Sequence, residues 1–334
     1  MFQVKSGFKP LKEDAVASDT ADSQPEGQSL AEQLLQLAEE DSGQLFALLD
    51  AARTDTVLEK LAHAEVEYRS LYLGQAEEQY SGVSPFLVEC KEDAELFNWL
   101  TTDTWGGACG IFLIADDTFI NLFTHFRKFL MVKTEAGEKF LFRFYDPRVL
   151  RVYLPTCTAQ ELDHFYGQAT RFLVESPAGG TILSYHKYDA DAGKAKSDVG
   201  PTDVMGKMII RDPQMASFTE ASIKDFENRM VVHLNEFFPE QCEALGEPKT
   251  REAIRYGIKR AATYGIDTER NVCKYTDIMF AYGRDFDKNP ELPWAAEVLN
   301  SSKYADQTTR IEELHRKSVW HAHQAANGTE EGRA

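Results

Sequence analysis

Long apolar runs are missing from this sequence. Nothing approaches the roughly 20 consecutive apolar residues of a bilayer-crossing helix, and residues 1–22 lack the apolar centre of a secretory signal. A cytoplasmic protein without membrane insertion is expected. Cysteine is sparse: Cys90, Cys109, Cys157, Cys242 and Cys273 are odd in number, scattered and without a CxxC pair. That pattern argues against a disulfide framework or zinc knuckle and for reduced, mostly buried thiols. Positive charge is also short, since 36 Lys and Arg against 54 Asp and Glu leave a formal net charge of -18. A field of that sign repels polyanions, so nucleic acid and anionic membranes are poor partners.

Catalytic signatures are lacking too. The Gly-Lys pair at Gly193 and Lys194 is followed by Ala195 in a polar stretch and fails as a phosphate cradle. The glycines around Trp105, at Gly106, Gly107 and Gly110, precede an apolar strand, whereas a dinucleotide loop must follow one. No GxSxG elbow exists, and Cys109 begins an apolar strand, where a structural thiol is the ordinary outcome. For metals, His321 and His323 are two residues apart at a helix end and point in different directions, and Asp189 and Asp191 lack the further oxygens of a calcium loop. No catalytic residue, cofactor or metal is therefore expected, and the chain reads as a non-enzyme.

What is present is ordinary globular material in quantity. A length of 334 residues with 43% hydrophobic residues, 21 Phe and 13 Tyr suggests two domains with aromatic cores. Residues 1–28 are poor in large apolar groups and are expected to form a flexible arm. Ser29 precedes Leu30, Leu34, Leu35 and Leu37 at helical spacing. From Gln44 strands and helices alternate: QLFALLDA, TDTVLEKLAHA, EYRSLYL, SPFLVEC, DAELFNWLTT opened by Asp93, CGIFLIA, and DDTFINLFTHFRKFL opened by Asp116. The rhythm predicts an α/β domain over 29–188 with a mixed, largely parallel sheet and flanking helices. A β-hairpin turns around Gly137, and Thr158 with Glu161 has capping-box spacing.

Residues 189–203, DADAGKAKSDVGPTD, read as a linker. Beyond it, residues 204–324 show helical patterns only, so an all-α C-terminal domain is expected, with a flexible tail at 325–334. Its first helix opens at Asp212 and Pro213 and carries Phe218, Phe226, Met230, Leu234 and Phe237 on or near one face.

The segment Phe140 to Pro155, FLFRFYDPRVLRVYLP, stands apart. As a strand it puts Phe140, Phe142 and Phe144 on one face and Leu141, Arg143 and Tyr145 on the other, before Asp146 and Pro147 turn the chain. With Arg148 and Arg151 close behind, three arginines lie near aromatic rings in an acidic protein. Such a cluster suits a partner's carboxylates or carbonyls. Equally, it can pair internally and fix the turn.

FRFYDPRVLRVYLP, preceded by LFALLDAARTDTVLEKL, YRSLYLG, Trp105 with GIFLIA, and HFRKFLMV, resembles the domain of type VI secretion effector chaperones, also called adaptors, over roughly Phe46 to Glu175. IRYGIKRAATYGI and ELPWAAE in the helical half are similar to regions that accompany this domain in some members. The resemblance implies a chaperone that binds a secreted effector toxin and loads it onto the VgrG spike, without catalysis. The residues matching the motif are Trp105, Arg143, Tyr145, Asp146, Pro147, Arg148, Leu150 and Arg151. The alternatives are an α/β hydrolase-like enzyme with an unrecognised active site and, more weakly, a cargo toxin.

Overall fold

The structure, a computed structural model, describes residues 28–54, 56–91, 94–177, 180–187, 208–304 and 306–331. Almost all of the expected arm, and the expected linker at 189–203, lie outside those residues. The chain divides into two compact units, one ending at Phe218 and the other beginning at Thr219.

In the first unit, α1 (Leu30–Glu40) opens with the capping box of Ser29 and Glu32. There follow β1 (Gln44–Asp50), α2 (Thr56–Ala62), β2 (Tyr68–Ser70), α3 (Gln75–Tyr80), β3 (Pro85–Glu89), α4 (Glu95–Thr102), β4 (Gly110–Ala115) and α5 (Phe119–Phe126). Next come β5 (Met131–Thr134), β6 (Lys139–Leu141), α6 (Pro147–Thr156), α7 (Ala159–Tyr166), β7 (Ala169–Glu175), β8 (Ile182–His186) and β9 (Ile209–Ile210). Thr118, not Asp116, caps α5. The hairpin of β5 and β6 turns at Gly137, whose φ of 84° is costly for a side chain with a Cβ.

The main sheet is antiparallel, in the order β2-β3-β1-β4-β7-β8, which corrects the expectation of a largely parallel one. The alternation of strand and helix fixed direction but not adjacency. Strands β1 and β2 run the same way, as do β3 and β4, yet β3 separates the first pair and β1 the second. Among the described residues the parallel pairing is β5 with β9, in a small second sheet.

Both faces of the main sheet are covered, which is why its central strands read as unbroken apolar runs. Phe46, Leu48, Ile111 and Leu113 enter one core with Phe126, Phe144 and Phe165, while Leu45, Ala47, Leu49, Phe112 and Ile114 enter another with α1 and α4. Rings of the first core meet mostly edge to face, as Phe142 does with Tyr153 at 4.9 Å. Gly110 marks the tightest approach: a Cβ there would lie 2.4 Å from the Leu48 carbonyl oxygen.

At the end of α1, Asp41 accepts from Arg171 Nε at 2.9 Å and Nη2 at 2.7 Å, and from Thr170 Oγ1 at 3.1 Å. Burial alone would raise this carboxyl, but the Arg171 bonds and charge outweigh it and hold it below its ordinary value. A depressed folded pKa gives stability that is present above the unfolded value and lost as pH falls through the folded one. The Asp41→Asn variant should therefore be less stable than wild type by about 2 kcal/mol at neutral pH. The gap should close as pH drops below the ordinary carboxylate range. Denaturant titrations across that range check it, and a gap constant with pH would assign the loss to packing.

Among its described residues, the second unit has regular elements that are all helices. It holds most of α8 (Asp212–Phe237), then α9 (Pro239–Leu245), α10 (Glu247–Ala262), α11 (Glu269–Tyr282), α12 (Pro293–Leu299) and α13 (Gln307–Glu331). Backbone of α13 stays helical past residue 325, where a tail was expected. Phe226, Met230 and Leu234 enter the helical core as anticipated, whereas Phe218 belongs to the core of the first unit and Phe237 is 61% exposed. No helix among the described residues is long and apolar enough to cross a membrane.

Candidate partner-binding site

The segment containing the arginines folds differently from the strand its alternation suggested. Strand β6 ends at Leu141, and Phe142, Phe144 and Tyr145 are all buried, so residues of both parities point inward. Asp146 then caps α6 by accepting from the Arg148 backbone N–H at 3.0 Å, and Pro147 takes the first helical turn. An aspartate followed by proline is a helix-start signal, and here it outranks the turn inferred from the same pair.

Each arginine is held. Arg148 makes a forked contact to Asp146, Nε to Oδ1 at 3.0 Å and Nη2 to Oδ2 at 2.7 Å. Arg143 pairs with Asp50, which is 1% exposed, and lies 3.9 Å from Asp146 Oδ2 and 6.0 Å from the Tyr145 ring centre. Burial would lower the Arg143 pKa, but the charge and hydrogen bond of Asp50, with the Tyr145 and Asp146 charges, together outweigh it and hold the guanidinium above its ordinary value. Arg151 donates to the backbone carbonyl of Glu175, and burial lowers its pKa against the pull of the Glu175 charge. Tyr145 is 1% exposed and hydrogen-bonds Tyr72; burial, then the Tyr72 and Asp50 charges, raise its phenol.

Trp105 is tied in from the other side. Its ring lies 5.9 Å from that of Phe112, and its indole nitrogen is buried without a partner among the described residues. The loop around it is pinned by the Glu175 carboxylate, which accepts from the Gly106 N–H at 2.6 Å and the Ala108 N–H at 2.9 Å. Ala108 has a φ of 53°, a left-handed conformation that a non-glycine residue adopts only when its surroundings enforce it.

Trp105, Arg151 and the Arg143–Arg148 stretch thus meet one framework of three acids, Asp50, Asp146 and Glu175. Tyr145, Asp146 and Pro147 are buried and serve as its interior, while the side chains of Arg143 and Arg148 remain 38% and 40% exposed. Asp50 and Glu175 were missed in the sequence. Their signal was a lone carboxylate closing an apolar strand, in QLFALLD and RFLVE.

Residues 45–164 match a family described as a domain of unknown function, DUF4123, a span from β1 into α7. No curated protein matches the chain, and no solved structure does.

Proposed function

We propose that the chain is a non-enzymatic chaperone or adaptor of a type VI secretion system, which binds an effector toxin in the cytoplasm and loads it onto the VgrG spike. The observation that carries this is FRFYDPRVLR, the block through which the chain resembles the effector chaperones, lying wholly inside the matched span 45–164. Its geometry supports the same use. Two half-exposed guanidinium groups are fixed in place by buried carboxylates, so little side-chain entropy remains to be lost when a partner's acidic or carbonyl groups dock.

A hydrolase using Cys109 is less well supported, because burial pushes that thiol up and away from the reactive thiolate.

The test is direct binding of the purified chain to an effector encoded nearby and to the spike. Arg148→Ala removes the forked contact to the buried Asp146, whose carboxylate keeps the bond from the residue-148 backbone N–H and a second cation in Arg143 at 3.9 Å, so stability should fall by about 1–3 kcal/mol with the fold retained. Affinity for effector or spike should nonetheless fall about tenfold or more, equivalent to about 1.4 kcal/mol. Binding to neither protein would sink the adaptor assignment, and unchanged affinity in a folded Arg148→Ala would assign the arginine to structure alone.

A further inference from the structure

In the second unit three donors of different chemistry converge. His233 on α8 places Nε2 2.8 Å from Asp277 Oδ1 on α11, and Cys273, one turn before Asp277 on the same helix, places Sγ 3.9 Å from Asp277 Oδ2. The three donor atoms lie within 4.8 Å of one another. Residues four apart on a helix share a face, so Cys273 and Asp277 act as a preset pair that His233 meets from α8.

We propose that His233, Cys273 and Asp277 form a mononuclear site for a divalent transition metal of the zinc class, with water in the fourth position. A thiolate, an imidazole and a carboxylate are the donor types that zinc takes, at bond lengths of about 2.0–2.3 Å. Binding an ion replaces the 2.8 Å His233–Asp277 hydrogen bond with two metal–ligand bonds and draws the Cys273 sulfur inward from 3.9 Å. The His233 and Asp277 side chains are 29% and 27% exposed, which leaves a path for the ion and room for a bound water. The His233 ring also rests against Phe237, centroids 4.7 Å apart, which limits its rotation.

A nucleophilic cysteine fits the same residues less well. That chemistry needs the histidine between thiol and carboxylate, whereas here the carboxylate lies between and the thiol donates to it. Burial, then the charge and hydrogen bond of Asp277, push the Cys273 thiol up to about 11. A metal reverses that preference: the Cys273 proton leaves to solvent as the metal–sulfur bond forms, and His233 binds as neutral imidazole. With Asp277 ionised, the two ligand charges neutralise the dication.

The full-length chain, stripped with a chelator and titrated with cobalt(II), should show a thiolate-to-cobalt charge-transfer band and the intense visible bands of a tetrahedral site. Zinc(II) should abolish both. Cys273→Ser, nearly isosteric, should lose the charge-transfer band while keeping its helical circular dichroism, and His233→Ala should bind cobalt at least tenfold more weakly. Calorimetry in two buffers should report release of about one proton per zinc at neutral pH. Absence of the band in wild type, or its survival in Cys273→Ser, overturns the proposal.

Discussion

Replacing Arg143 with leucine should lower the stability of the first unit by about 3 kcal/mol, because the substitution strands the Asp50 carboxylate at 1% exposure without its cation. The figure sits at the lower end of the range for broken buried pairs, since the arginine side chain itself is 38% exposed. At about 2–4 °C per kcal/mol for a unit of this size, the thermal midpoint should fall on the order of 10 °C. The asymmetry of the pair sharpens the test. Asp50→Leu leaves Arg143 able to turn toward water and should cost less, and the double variant should be more stable than Arg143→Leu alone. A loss below about 1 kcal/mol in Arg143→Leu would reclassify the contact as an ordinary surface pair. Partner affinity measured on the same variants separates effects, because Asp50→Leu leaves the guanidinium present but no longer fixed.

Removing the carboxylate of Glu175 should have a comparable effect by a different route. In Glu175→Ala the N–H groups of Gly106 and Ala108 lose bonds of 2.6 and 2.9 Å to a charged acceptor. Each such bond contributes about 1.5–3 kcal/mol, so a total on the order of 3 kcal/mol is expected after water recovers part of it. The left-handed Ala108 is then no longer enforced, and the loop should relax. Two readouts follow locally: Trp105 emission should shift to the red, and Cys109 should react faster with a thiol reagent. Unchanged labelling of Cys109 in a folded variant would show that the strand below holds the loop without Glu175. Glu175→Gln keeps one acceptor and should fall between.

Much of the first unit was legible because local signals agreed with tertiary ones. The capping box predicted from Thr158 and Glu161 is formed, Ser29 caps the helix its leucine spacing announced, and the hairpin turns at Gly137. Pairing of strands was not legible. An apolar run such as CGIFLIA states that both faces are covered, and that holds for a parallel strand or for an antiparallel one between two helical layers. The candidate site was readable as composition but not as geometry. The alternation of FLFRFY suggested a strand, yet burial of Phe142, Phe144 and Tyr145 together overrode the period of two. Sequence also offered no means of joining Arg143 to Asp50, which are 93 residues apart. In the second unit, the cysteine and aspartate four apart in α11 were visible, but their third member waited on α8.

The placement of β7 sets how much chain the domain needs. The matched span stops at residue 164, yet β4, deep in the sheet, finds its second neighbour only in Ala169–Glu175. A fragment cut at the family boundary would present β4 as a bare edge, with Phe112, Leu113 and Ile114 on a strand open to pairing with other chains. It would lack Glu175 as well, and with it the brace beneath Trp105 and the anchor of Arg151. The smallest piece that can close its own sheet therefore runs past the boundary that sequence similarity draws.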